Sequence, residues 1–246
     1  MGRKFRISWL FLVLAMSLIS PAQASGVEDV RSPADAYAKA RQALTIAHEF
    51  KANGQDKEAE AKVEVVLRLF ERATKARSGE QPLSNDNLSN LHLIRGGLFL
   101  DLKRPQEAIS DFTVPLEQKL APDRLTRGFF LYFRSRAYLM ARNFDAALGD
   151  IQQALSIEGS RRYIYQRALV YVGLERTAEA FADFDRLVEL DPNDPKWVVF
   201  RGEYQESLGN MEAAKTDYLR AYNLGPQGKG MIEKLNKGRL IGKNRE

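Results

Sequence analysis

The sequence predicts an all-α fold, a solenoid of stacked helix-turn-helix repeats. Three observations carry that prediction. Four segments, 89–116, 128–160, 161–194 and 195–228, align with one another, and the last two are equal in length and abut directly. Each segment shows helical apolar periodicity twice, split by a break such as Arg142-Asn143 or Gly209-Asn210. Small and large residues alternate in fixed columns. Position 8 reads Gly96, Ser135, Ala168 and Gly202, position 20 is always alanine (Ala108, Ala147, Ala180, Ala214), and position 24 reads Phe112, Ile151, Phe184 and Tyr218. Folding each segment about its break sets positions 8 and 24 at one level, so small residues let the helix axes approach while aromatics fill the space beside them. One hairpin cannot bury its whole apolar face, so neighbours must stack.

Taken in chain order, the segment 1–24 stands apart. Arg3, Lys4 and Arg6 precede a mostly apolar run from Ile7 to Ile19, and Pro21 leads to Ala22-Gln23-Ala24. That is the pattern of a secretory signal peptide cleaved near Ala24, and the run is short of the roughly 20 residues a membrane span needs. The expected destination is the periplasm or the exterior. Residues 25–88 read as an N-terminal hairpin plus loop, either a degenerate repeat or a cap. Ser32-Pro33 starts its first helix, Tyr37, Ala40, Leu44 and Ala47 form one face, and Asn53-Gly54 ends it. A second helix over 56–76 presents Ala59, Val63, Val66, Leu67, Phe70 and Ala73, and 78–87 reads as a loop. Within 89–116, Pro115 is expected to end the second helix early. The tail, 229–246, is basic, with Met231, Ile232, Leu235 and Leu240 sufficient for one short capping helix.

Two further columns recur without exception. Arginine holds position 7 (Arg95, Arg134, Arg167, Arg201) and aspartate position 23 (Asp111, Asp150, Asp183, Asp217). An arginine ladder could grip an acidic partner, but the acid recurs as faithfully as the base. Ion pairs inside the hairpins are therefore the expected arrangement.

Composition argues against chemistry. Cysteine is absent, which excludes disulfides, thiolate metal sites and a cysteine nucleophile. His48 and His92 lie on separate predicted helices with no metal-ligand spacing, so no metal and no cofactor are expected. Gly225, Gly228, Lys229 and Gly230 lack both the preceding strand and the spacing of a phosphate loop. The formal charge of +5 includes three cations before Ala24, and six cations against two acids after Gly228. The body between is slightly acidic, so nucleic acid is not an expected partner. Membrane contact would involve only the basic tail.

The columns resemble the tetratricopeptide repeat, whose pattern has a small residue at 8, an aromatic at 11, alanine at 20, an aromatic at 24, alanine at 27 and proline at 32. Position 11 reads Phe99, Tyr138 and Tyr171 but Gln205. Position 27 matches at Ala154 and Ala221 but not at Pro115 or Leu187, and Pro192 and Pro226 close the last two repeats. The resemblance implies a right-handed superhelix that is not an enzyme and holds a protein or peptide segment in its concave groove. First-helix positions 2, 5, 9 and 12 line such a groove. The contact residues it implies are Leu93, Phe129, Tyr132, Arg136, Leu139, Tyr165, Leu169, Val172, Val199 and Glu203. Family members that clamp a carboxylate terminus place Lys at 5 and Asn at 9. This chain has neither, so that activity is not implied. The alternative function is a self-associating or membrane-tethered structural solenoid of the cell envelope.

Overall fold

The computed structural model describes residues 30–76 and 78–243. The expected signal peptide lies outside the described residues. Every regular element among them is helical: α1 (Pro33–Ala52), α2 (Asp56–Thr74), α3 (Asn85–Asp101), α4 (Pro105–Glu117), α5 (Arg124–Met140), α6 (Phe144–Ile157), α7 (Arg161–Gly173), α8 (Thr177–Leu190), α9 (Pro195–Ser207), α10 (Met211–Asn223) and α11 (Pro226–Lys243). None of these helices is long and apolar enough to cross a membrane. The chain divides into two compact units at Pro122/Asp123, in the connection between α4 and α5.

In the first unit, α1 pairs with α2, α3 pairs with α4, and α3 also packs on α1 and α2. Its core joins Ala40, Leu44 and Ala47 to Val63, Val66 and Phe70, with Leu91 and Leu98 of α3. In the second unit, successive helices from α5 to α11 each pack on the next. The core there runs through Ala168, Tyr171, Ala180, Phe184, Leu187, Val198 and Ala221.

Why these hairpins close is visible in columns 8 and 24. A Cβ added to Gly96 would stand 2.5 Å from Phe112 Cε1, and one added to Gly202 would stand 2.8 Å from Tyr218 Cε1. The four alanines at position 20 are buried. Where position 8 is serine, its hydroxyl is used instead. Ser135 Oγ donates to the Ala147 carbonyl at 2.8 Å and accepts from Gln166 Nε2 at 3.4 Å, which ties α5 to both α6 and α7.

The turns share one geometry. Lys103, Arg142, Glu175 and Gly209, all at position 15, have φ between 57° and 80°. In each case this residue's N–H donates three residues back and the next N–H donates five residues back, as in Glu175 N to Val172 O and Arg176 N to Tyr171 O. That is a Schellman cap. The α1–α2 turn has it too, with Gly54 at φ 73° and Gln55 N donating to Phe50 O. Counting from Gly54 as position 15 puts Ala47 at 8, Phe50 at 11 and Ala59 at 20. The N-terminal hairpin is thus a repeat in register, lacking the Arg–Asp columns.

Four boundaries differ from expectation. Helix α3 begins at Asn85, because Ser84 accepts from Asn87 N at 3.3 Å and caps it, so the loop before it is shorter than 78–87. The second helix of the N-terminal hairpin, expected to reach residue 76, stops at Thr74. Pro115 does not shorten α4, which runs on to Glu117. At the last turn a proline removes a single backbone bond, and its buried ring occupies the apolar column that Ala154, Leu187 and Ala221 fill elsewhere. The C-terminal helix is not short and does not wait for residue 229. It starts at Pro226, a favoured first helical residue, and continues to Lys243. Gly228 permits it, since a Cβ there would lie 1.8 Å from the Ala221 carbonyl oxygen.

Candidate functional site

Each of the four arginines grips its aspartate through two parallel bonds. Arg134 Nε and Nη2 donate to Asp150 at 2.7 and 2.8 Å, while Arg167 and Arg201 donate to Asp183 and Asp217 at 2.8 and 2.6 Å. Arg95 makes the same fork on Asp111, Nε donating at 2.7 Å. The carboxylates are buried and the guanidiniums partly so. His92 Nδ1 also lies 3.0 Å from Asp111 Oδ1, and Arg201 reaches Asp185 at 2.6 Å. These hydrogen bonds hold the Arg167 and Arg201 guanidiniums more firmly protonated than usual. All eight charges are spent within the hairpins, so no ladder of open arginines exists.

The expected contact residues divide by burial. Leu93 lies half-buried on α3, in the first unit. In the second unit Phe129 is 39% exposed, Arg136 is exposed, and Leu139, Leu169, Val172 and Glu203 are half-buried. Tyr132 and Val199, expected to face a partner, are 9% and 3% exposed. Both are packing residues. The Tyr132 ring lies 5.2 Å from Tyr163 of the next repeat, and Val199 joins the core of the second unit. At Tyr132 and Val199 the position-5 side chain is used in packing on its neighbours before it reaches solvent.

Tyr165 marks the place where the face opens. Its ring stacks on Phe200 at 4.7 Å and lies 5.8 Å from Trp197, both on α9. Burial, with Glu203 nearby, pushes its phenol up to about 12. Beside these rings is a cleft of about 480 Å³ between the N-terminal turns of α7 and α9, walled also by Ser160, Arg161, Arg162, Asp194 and Lys196. Arg161 pairs with Asp191 at 2.5 Å. Lys196 lies 3.5 Å from Asp194 and 3.8 Å from the Trp197 ring centre. Arg162 and Arg136 flank the Tyr132 ring at 5.9 and 5.8 Å.

Sequence reasoning missed Arg161, Trp197 and Phe200, and it left Arg162 and Lys196, which stand at groove position 2, out of the contact residues. The signal was present as cations at positions 1 and 2 and aromatics at 3 and 6 of adjoining repeats. Groove positions 2, 5, 9 and 12 do not include the residues at 1, 3 and 6. Among the described residues no cluster of three or more His, Asp or Glu could hold a metal ion.

Residues 165–229 match the tetratricopeptide repeat family. Over 111 residues, 43% of its length, the chain is 31% identical to the DnaJ homolog subfamily C member 7 homolog of Dictyostelium discoideum. It is 28% identical over 116 residues, 47% of its length, to human serine/threonine-protein phosphatase 5. It spans only 21% and 23% of those two proteins. Among solved structures, a thermophilic tetratricopeptide-repeat protein of Thermus thermophilus superposes with a TM-score of 0.56 at 19% identity, over 82% of this chain and 99% of that one. MamA of Desulfovibrio magneticus superposes with 0.54 at 19% identity, over 76% and 94%. The fold is therefore that of a tetratricopeptide-repeat solenoid.

Proposed function

We propose that this chain is a scaffold that holds a protein segment on the first-helix face of its second unit and performs no catalysis of its own. The observation that carries the reading is the aromatic cleft between α7 and α9. It is open beside Tyr165, Trp197 and Phe200, whereas the second-helix columns are spent on packing. Large aromatic rings held in place by their neighbours are effective anchors for a partner segment. Export to the periplasm or exterior, directed by the segment 1–24, belongs to the same reading. It predicts that the mature protein begins after Ala24 when its N-terminus is sequenced.

A photo-crosslinking side chain tests the face directly. Placed at Phe129 or Arg162 it should capture protein partners, and placed at Gln152, exposed on second helix α6, it should not. Equal capture from all three positions would remove the face assignment.

A second reading, self-association, has one observation in its favour. Leu208, Met211, Leu219 and Tyr222 are exposed on the last hairpin, Leu219 by 56%. Such an apolar end suits a second copy or another protein. Light scattering distinguishes them: a concentration-dependent dimer abolished by Leu219→Glu supports self-association, and a monomer at all concentrations removes it.

A further inference from the structure

We infer that the segment held at the α7/α9 cleft is acidic, a peptide stretch carrying an Asp or Glu side chain next to a large apolar one. The inference rests on the binding face proposed above and adds the partner's chemistry. Three cations, Arg161, Arg162 and Lys196, wall the cleft against one lining acid, Asp194. Asp191 engages Arg161 from the end of α8, and Glu203 stands near the Tyr165 ring. Arg162 is left over. Its contact is with the Tyr132 ring at 5.9 Å, and among the described residues no carboxylate pairs with it. The N-terminal turn of α7 adds the positive end of a 13-residue helix; its Tyr163 and Ile164 amides donate to the Ser160 carbonyl, and Ser160 places no side-chain capping bond there.

A second observation is independent of charge. Trp197 is 5% exposed, and its indole N–H has no acceptor among the described residues. A buried donor without a partner is a standing cost, and a small shift of the ring toward the cleft it lines would let a ligand oxygen remove it. The apolar side chain of the same segment would lie against Tyr165 and Phe200, whose stacked rings form the cleft's other wall. A peptide carboxylate fits this arrangement better than a nucleic-acid backbone. Two of the three cations already hold an acid, so the surplus suits one carboxylate and not a run of phosphates.

Fluorescence anisotropy with the full chain tests this, using short labelled peptides of four kinds. One combines Glu and Asp with Phe and Leu, the second replaces the acids by Gln and Asn, the third replaces the apolar residues by Ser, and the fourth replaces the acids by Lys. A uridine-only single-stranded oligonucleotide serves as a fifth probe. The first peptide should bind at least about tenfold more tightly than the others, and its affinity should fall as salt rises. Arg162→Glu should weaken it by about tenfold while thermal unfolding stays unchanged, Arg162→Lys should preserve it, and Lys196→Glu should act like Arg162→Glu. Equal binding of acidic and amide peptides overturns the inferred acidity and leaves the binding face standing. Tight binding of the acidic peptide that ignores Arg162→Glu and Lys196→Glu overturns its location. Stronger binding of the oligonucleotide overturns the partner class. Binding of no peptide overturns both the inference and the binding face.

Discussion

Single atoms decide much of this structure. The absent Cβ at Gly96 is the clearest case, because Phe112 occupies that space and is itself fully buried, so its ring cannot retreat. Gly96→Ala gains about 1 kcal/mol of helix propensity but overpacks a closed site at about 1–3 kcal/mol. Chemical denaturation should show a net loss, and pairing Gly96→Ala with Phe112→Leu should cost less than the two changes summed. Tyr165 makes a pH-dependent statement. Its folded phenol keeps its proton up to about pH 12, against an ordinary value of 10. The stability this contributes is complete below pH 10 and disappears as pH climbs from there to about 12. Burial raises the Tyr163 phenol as well, so ultraviolet titration should show late-ionising tyrosines whose amplitude Tyr165→Phe reduces, and an unchanged late amplitude in that variant would refute the assignment.

Hairpins are the unit of construction, and two devices define them. One is the Arg–Asp fork between first and second helices. A double-mutant cycle on Arg167 and Asp183 should return a coupling of about 1–2 kcal/mol. The same cycle on the exposed pair Arg186 and Glu189, 3.2 Å apart, should return close to zero. The other device is the left-handed residue at position 15. Glu175→Gly should stabilise by about 0.5 kcal/mol by relieving a side chain held at φ 58°, whereas Gly209→Ala should destabilise by about 1 kcal/mol. A lowered unfolding temperature for Glu175→Gly, or a raised one for Gly209→Ala, would contradict the shared turn.

At this scale the sequence was readable where a pattern repeats. The small and large columns gave the hairpins, and the recurrence of Asp beside Arg gave the forks. The turn residue was hidden, because three of the four repeats put Lys, Arg or Glu where only Gly209 declares a positive φ, and Gly54 lay outside the aligned segments. Pro115 misled because a proline's cost depends on where in the helix it falls. Tyr132 and Val199 misled because periodicity gives the face a residue occupies and not how near the next hairpin comes. The cleft depends on that spacing between neighbours, which one repeat's sequence does not encode.

Across the whole chain, the N-terminal hairpin and the four clear repeats share one register, with no Arg–Asp fork in the first. The fold spends second-helix columns on holding hairpins together and leaves part of the first-helix face of the second unit open at α7 and α9. That division of labour is the central claim, and hydrogen exchange of the full chain with and without the acidic-apolar peptide measures it directly. Slowed exchange should be confined to the N-terminal halves of α7 and α9, around 161–167 and 195–201. Protection falling instead on the second helices α6, α8 and α10 would contradict the account.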